Sequence, residues 1–139
     1  MNNTLYEELK ISRFVFDDNV QKDRLVTNVY KLRLTDQWKE KLQEMFDLDV
    51  FEYYGEMCTQ GAIVDRYKFA AVVWALLNGG GHVLSEDETV NLIETAVNHL
   101  GLDGLAMVVL SALTAALMPP EAYEAFKMTV LSYGNQVSL

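Results

Sequence analysis

Three side chains in this chain are soft metal ligands, Cys58, His82 and His99, and they stand far apart in the sequence. Zinc motifs space their ligands a few residues apart, so this pattern predicts neither a metal site nor a cofactor. The ordinary roles fit better: His82 in a loop, His99 near a helix C-terminus and Cys58 packed as a small hydrophobe. The Gly79-Gly80-Gly81 run could cradle phosphate, but no Lys-Ser/Thr pair follows it and the next charges are Glu86, Asp87 and Glu88, which repel phosphate. Asp47 with Asp49, or Glu52 with Glu56, could do acid–base chemistry if a pocket held them with separated pKa values. Nothing in the sequence signals such a pocket, and solvated acidic faces are the commoner use of these residues. DLDVFEYYGEMC carries acids at its first and third positions but apolar or aromatic residues where a calcium loop needs further ligands. The expectation is therefore a non-enzymatic protein with no catalytic residues.

Composition narrows the classes further. The chain has 139 residues, half of them hydrophobic, which suits one folded domain. A net charge of -9, with 11 basic residues against 20 acidic ones, disfavours nucleic acid as a partner. One cysteine excludes an internal disulfide framework, and MNNTLYEELK lacks a basic segment followed by an apolar signal core. The expected location is the cytoplasm. The most apolar run, Leu105 to Met118, includes Ser111 and Thr114, stops at Pro119 and is too short to span a bilayer, so it is read as a buried core helix and no membrane is expected.

The elements that would position these residues are mostly helices. Ile11 to Phe16 and Val29 to Leu34 alternate as strands do, joined by a polar connector DDNVQKDRLVTN too long for a tight two-residue turn. Residues 1–34 are thus predicted as a two-stranded β-hairpin or an extended arm. Thr35 can cap a helix over DQWKEKLQEMF, with Trp38, Leu42 and Met45 on one face. In the ambiguous piece after it, Val50, Phe51 and Tyr54 allow a short helix that Gly55 and Gly61 would limit. Asp65 starts the next helix, whose Phe69, Ala70, Val73, Trp74 and Leu77 form a stripe before Asn78 and the three glycines stop it.

Ser85 followed by Glu88 is a capping box. It opens a helix running to about Leu100, with Leu92, Ile93, Ala96, Val97 and Leu100 inward and Gly101 as its stop. Leu102 to Met118 is apolar almost all round and belongs at the centre of the bundle. Pro120 opens a last helix to about Tyr133, before Gly134 and a short tail over 135–139. The fold class is mainly α (α+β): about five helices over 35–134 behind the N-terminal hairpin or arm. Trp38, Trp74, Tyr123 and Phe126 read as core, whereas Met107, Met118 and Met128 belong to the flexible class that also suits binding surfaces. So apolar a second half implies an exposed patch, hence a partner or a homo-oligomer.

The run YKLRLT entering a helix, then YKFAAVVWALLNGGG, then LSEDETVNLIETAVNHLG, then an apolar helix, resembles the tail assembly chaperones of long-tailed bacteriophages and prophages. The resemblance covers about Val29 to Leu117 and rests on loose patterns, with no catalytic signature. It implies a protein that binds the tape measure protein, helps to recruit tail tube subunits in the host cytoplasm and is not expected in the mature virion. Relatives often have a longer frameshifted form, and the short tail is compatible with one. The N-terminal ISRFVFDDNVQKDRLVTN departs from the pattern. An apolar helix surface would cover the partner's apolar heptads while acids meet its basic positions, with Leu105, Val109, Leu113, Met118 and Met128 as candidate contacts. Two other classes compete: a small acidic helical adaptor or regulatory protein for a different partner, and a small helical enzyme, which needs a concave site with perturbed titratable groups.

Overall fold

The computed structural model describes residues 5–60 and 65–137 of the chain, with side chains as far as Thr129. Two antiparallel strands, β1 (Glu7–Asp17) and β2 (Lys22–Leu32), precede five helices: α1 (Asp36–Phe46), α2 (Val50–Gln60), α3 (Arg66–Gly79), α4 (Glu86–Leu117) and α5 (Pro120–Val137). The expected α+β fold, a small helical bundle with an N-terminal hairpin, is what forms.

The hairpin is longer and tighter than its sequence pattern implies. Its register runs from Glu7 opposite Leu32 to Asp17 opposite Lys22, so most of the supposed connector is strand. Only Asp18 to Gln21 turn: the Asp17 carbonyl accepts from Val20 N–H at 3.3 Å, Asp17 Oδ1 accepts from Asn19 N–H at 3.0 Å, and Gln21 sits at φ 55°. Side-chain bonding by Asp and a left-handed residue are what a short polar turn needs, and composition alone hid them among charged strand residues. The strand predicted over Val29 to Leu34 accordingly ends at Leu32.

Local capping explains the helix ends. Thr35 accepts from the Trp38 N–H, and Asp65 accepts from Tyr67 and Lys68 N–H at 2.8 and 3.2 Å. Asp49 caps α2 by accepting from Phe51 and Glu52 N–H, and the helix buries Val50, Tyr53 and Met57 at helical spacing. It therefore runs straight through Gly55; Gly61 lies outside the described residues. Ser85 and Glu88 make the reciprocal capping box at 3.1 and 3.0 Å.

At Gly101 the backbone of α4 is non-helical, with φ 79° and ψ 163°, so two helical pieces meet at a bend where the sequence places a stop. That conformation is open to glycine and costly for other residues. At the other end of the bundle, α5 continues through Gly134 to Val137, past the expected stop near Tyr133.

Two helices make the centre. α3 buries Phe69, Ala71, Val72, Val73, Ala75, Leu76 and Leu77, far more than one stripe, and the second half of α4 buries Leu105, Ala106, Val109, Ala112 and Leu113 against it. By length and apolarity α4 is long enough to cross a membrane, but here that half is the core helix. Trp38 and Trp74 meet edge-to-face at 5.1 Å and Phe46 joins Trp74 at 5.8 Å, which seals α1 onto α3. Met45, expected inward with Trp38 and Leu42, is exposed instead.

The three glycines do more than end a helix. A Cβ at Gly79 would overlap the Arg33 carbonyl oxygen, and one at Gly80 the Lys31 carbonyl oxygen, so the backbone leaving β2 lies directly on the end of α3. Arg33 N–H donates to Leu76 O at 3.0 Å, and Lys31 N–H donates to His82 Nε2 at 2.9 Å, with the imidazole edge-on to Tyr30. Trp74 Nε1–H reaches Leu84 O at 3.0 Å and fixes the far side of the loop. The helical body thereby grips the base of the hairpin.

Candidate functional site: the hairpin and two recesses

Beyond that grip the hairpin loses its cover. On one face Leu9 and Ile11 are buried with Leu32 and half-buried Tyr30, because α4 packs beneath β1. Arg13 and Val15 continue this face and are exposed. On the opposite face Phe14 stands directly across from Leu25, with Phe16 next to it along β1; Val29 lies apart, beyond the hydrogen-bonded Ser12–Thr27 pair. Phe14 is 73% exposed, Leu25 57% and Phe16 55%. Cross-strand partners lie about 5 Å apart at Cβ, so these side chains form one apolar patch rather than scattered residues. At roughly 3.3 Å per residue the part beyond Ile11 reaches about 20 Å. Among the described residues no third strand joins the sheet, so beyond the bond from Lys31 N–H to His82 each strand has an outer edge without a strand partner.

The five contacts suggested from apolar density divide between core and surface. Leu105, Val109 and Leu113 are fully buried under α3 and β1, so in this fold they hold the bundle together and present nothing to a partner. The reason is geometric: a helix apolar all round sits inside, and the density that suggested a surface marks the centre. Met118 and Met128 are exposed, Met128 at 68%. The hairpin patch was missed, although FVF placed three apolar residues in a row on a two-stranded element that can cover only one face.

Two recesses contain titratable groups. A cleft of about 530 Å³ between β1, α4 and α5 is floored by Leu100 and Val108. At its edge a single oxygen of Glu7 accepts from Tyr123 Oη–H and, at 2.8 Å, from Lys127 Nζ. Burial first, then the Glu7 hydrogen bond, pushes the Tyr123 hydroxyl well above the usual phenol range, which keeps it protonated. This cluster ties α5 to β1: its cation and its phenol both serve one carboxylate.

The smaller recess, about 140 Å³, lies where α1, α2 and α3 meet and is lined by Asp47, Asp49, Glu52, Tyr53, Glu56 and Lys68. Both acid pairs considered from sequence therefore do share a concavity. Burial, with the negative charges of Asp65 and Glu56, pushes the Tyr53 hydroxyl up as well. In both recesses the shifted group is a tyrosine, whose hydroxyl stays protonated at neutral pH.

The metal-ligand candidates are dispersed. His82 is engaged with β2, while Cys58 and His99 are exposed on α2 and α4. The described residues contain no group of three or more His, Cys, Asp or Glu side chains arranged to hold a metal ion. Compared with known proteins, the chain matches no family model, no curated protein and no solved structure.

Proposed function

We propose that this chain is a non-catalytic binding protein whose working surface is the outer face of the hairpin, and that it acts as a tail assembly chaperone for a tape measure protein. The observation that carries the reading is the Phe14–Leu25 pair with Phe16 beside it, a contiguous apolar patch on an arm gripped at one end. Leaving large apolar side chains in water forgoes about 1.5–3 kcal/mol each, which a partner's apolar heptad face recovers on binding. The acidic body keeps such a complex soluble and attracts basic positions of the partner. Exposed Met118 and Met128 offer adaptable contacts outside the hairpin. Recruitment of tail tube subunits, in the bacterial cytoplasm, follows from the sequence resemblance alone.

Co-expression with a tape measure protein tests this. Wild-type chain should keep that protein soluble and co-purify with it, while Phe14→Ser combined with Leu25→Ser should lose both effects and retain the helical circular dichroism. Undiminished rescue by the double variant would remove the hairpin from the mechanism. Failure of the wild type with the tape measure protein, together with hairpin-dependent capture of a different defined partner, would instead favour the adaptor class.

A further inference from the structure

We infer that the projecting part of the hairpin pairs with a second copy of this chain, β1 edge to β1 edge, so that two hairpins make one four-stranded antiparallel sheet. This goes beyond the chaperone reading and stands whether or not a tape measure protein is the partner. Which groups the edge offers follows from the register. Lys31 N–H points away from β1, because it donates to His82 Nε2, and Lys31 stands opposite Glu8. Antiparallel pairs alternate, so Glu8, Lys10, Ser12, Phe14 and Phe16 turn their N–H and C=O groups outward from β1. Among the described residues no hydrogen bond reaches these groups, whereas β2 is engaged at its base by His82.

The side chains along that edge point to a copy of the same strand as its occupant. Beyond Ser12, β1 reads Arg13, Phe14, Val15, Phe16, Asp17, a run that is self-complementary about Val15. A two-fold axis at Val15 sets Val15 against Val15, Phe14 against Phe16 and Arg13 against Asp17, the last two pairs occurring twice. Opposite charges and aromatic pairs facing each other across strands are stabilising. Both charged groups have capacity left: Arg13 is ion-paired to no acid among the described residues, and Asp17 uses one carboxylate oxygen, on Asn19 N–H.

The usual safeguards of a free edge are missing here. Proteins blunt such edges with proline, lysine or a bulge, yet Ile11 to Asp17 contains neither residue and its ladder runs unbroken to Lys22. Charge favours the same place: residues 12–28 hold three basic and three acidic side chains, so the whole net charge of -9 lies elsewhere and two arms meet without the repulsion that two bodies feel. Bulk allows it as well. With the axis at Val15 the two Ile11 residues, each resting on the helical body, are separated by roughly 26 Å along the strands. An axis at Ser12 would bring them within about 7 Å, less than the thickness of one helix. The pairing at Val15 also sets the two Phe14–Leu25 patches side by side as one apolar surface.

Sedimentation velocity of the whole chain over a concentration series is the test. Wild type should form a reversible dimer. Arg13→Glu and Asp17→Lys each place like charges together twice per dimer, so each alone should weaken self-association about tenfold, while an equal mixture of the two variants should dimerise again. Cysteine cross-linking, in a Cys58→Ser background, reads the register even if one of those variants fails to fold. Val15→Cys should join two copies on mild oxidation, because the facing Cα atoms lie about 4.5 Å apart, within disulfide reach. Arg24→Cys, opposite Val15 on β2, should not, because three strand spacings hold its two copies about 14 Å apart. A wild type that stays monomeric throughout, a mixture no more associated than its components, or cross-linking at Arg24→Cys equal to that at Val15→Cys overturns the proposal. No tape measure protein is present in these assays, so a dimer that fails to rescue that protein removes the chaperone reading alone, and rescue by a monomer removes this one alone.

Discussion

Replacing Gly80 by alanine should destabilise the protein by about 2–5 kcal/mol, against what its own backbone conformation suggests. Gly80 sits at φ -82° and ψ -2°, where any residue is at ease. On that ground alone, alanine would stabilise by about 0.4–1 kcal/mol through a less flexible unfolded chain. The new Cβ would, however, overlap the Lys31 carbonyl oxygen, and both sides of the clash are backbone. Relief requires β2 to lift off α3. That strains or breaks the Arg33 N–H to Leu76 O and Lys31 N–H to His82 Nε2 bonds, at about 0.5–1.5 kcal/mol each. Overpacking adds about 1–3 kcal/mol. The control is Gly55→Ala in α2, where a Cβ meets nothing within 4 Å and the change should stabilise by about 0.5–1 kcal/mol. Urea denaturation followed at 222 nm measures both. If Gly80→Ala matched Gly55→Ala in sign, the close crossing of β2 over α3 would be wrong, and with it the account of how the hairpin is held.

Three further outcomes are expected. Leu113→Ala should cost about 2–5 kcal/mol in the same assay while Met128→Ala stays within about 0.5 kcal/mol, since one is core and the other is on the surface. Glu88 accepts the Ser85 N–H, and this bond holds its carboxyl below the usual carboxylate range. A lowered folded pKa gives stability that is present above the unfolded pKa and lost as pH falls through the folded one. The stability gap between wild type and Glu88→Ala, measured by denaturation across pH, should therefore close in acid. Tyr53 and Tyr123 have raised folded pKa values, so their contribution is complete below the ordinary phenol pKa and lost as pH rises past it. Burial pushes the Tyr54 hydroxyl up as well, so absorbance at 295 nm should show a late phase with alkaline unfolding that Tyr53→Phe with Tyr123→Phe shrinks but does not abolish.

Helix starts and stops were legible in the chain because capping is local chemistry. Thr35, Asp65, and Ser85 with Glu88 cap the helices their neighbours imply, and Gly101 breaks the path where the pattern places a break. A hairpin was legible too, from alternation in its two ends, although its turn was obscured by charged residues that belong to the strands. Gly55 and Gly134 misled, because burial of Val50, Tyr53 and Met57 outweighs one helical glycine and α5 carries on past the other.

What lay beyond reach was which apolar residues face water. Leu113 and Phe14 are equally hydrophobic as letters; one lies on α4 inside the bundle core, and the other stands on an arm that outruns its support. Burial is a property of what comes to lie opposite a side chain, and that partner is distant in sequence. The same holds for the triple glycine, whose meaning depends on a strand more than 40 residues earlier crossing it, and for Tyr53, whose hydroxyl is orphaned only by the way three helices close around it. Local chemistry set the helices and their ends; the packing of distant segments set the exposed arm and the acidic recess.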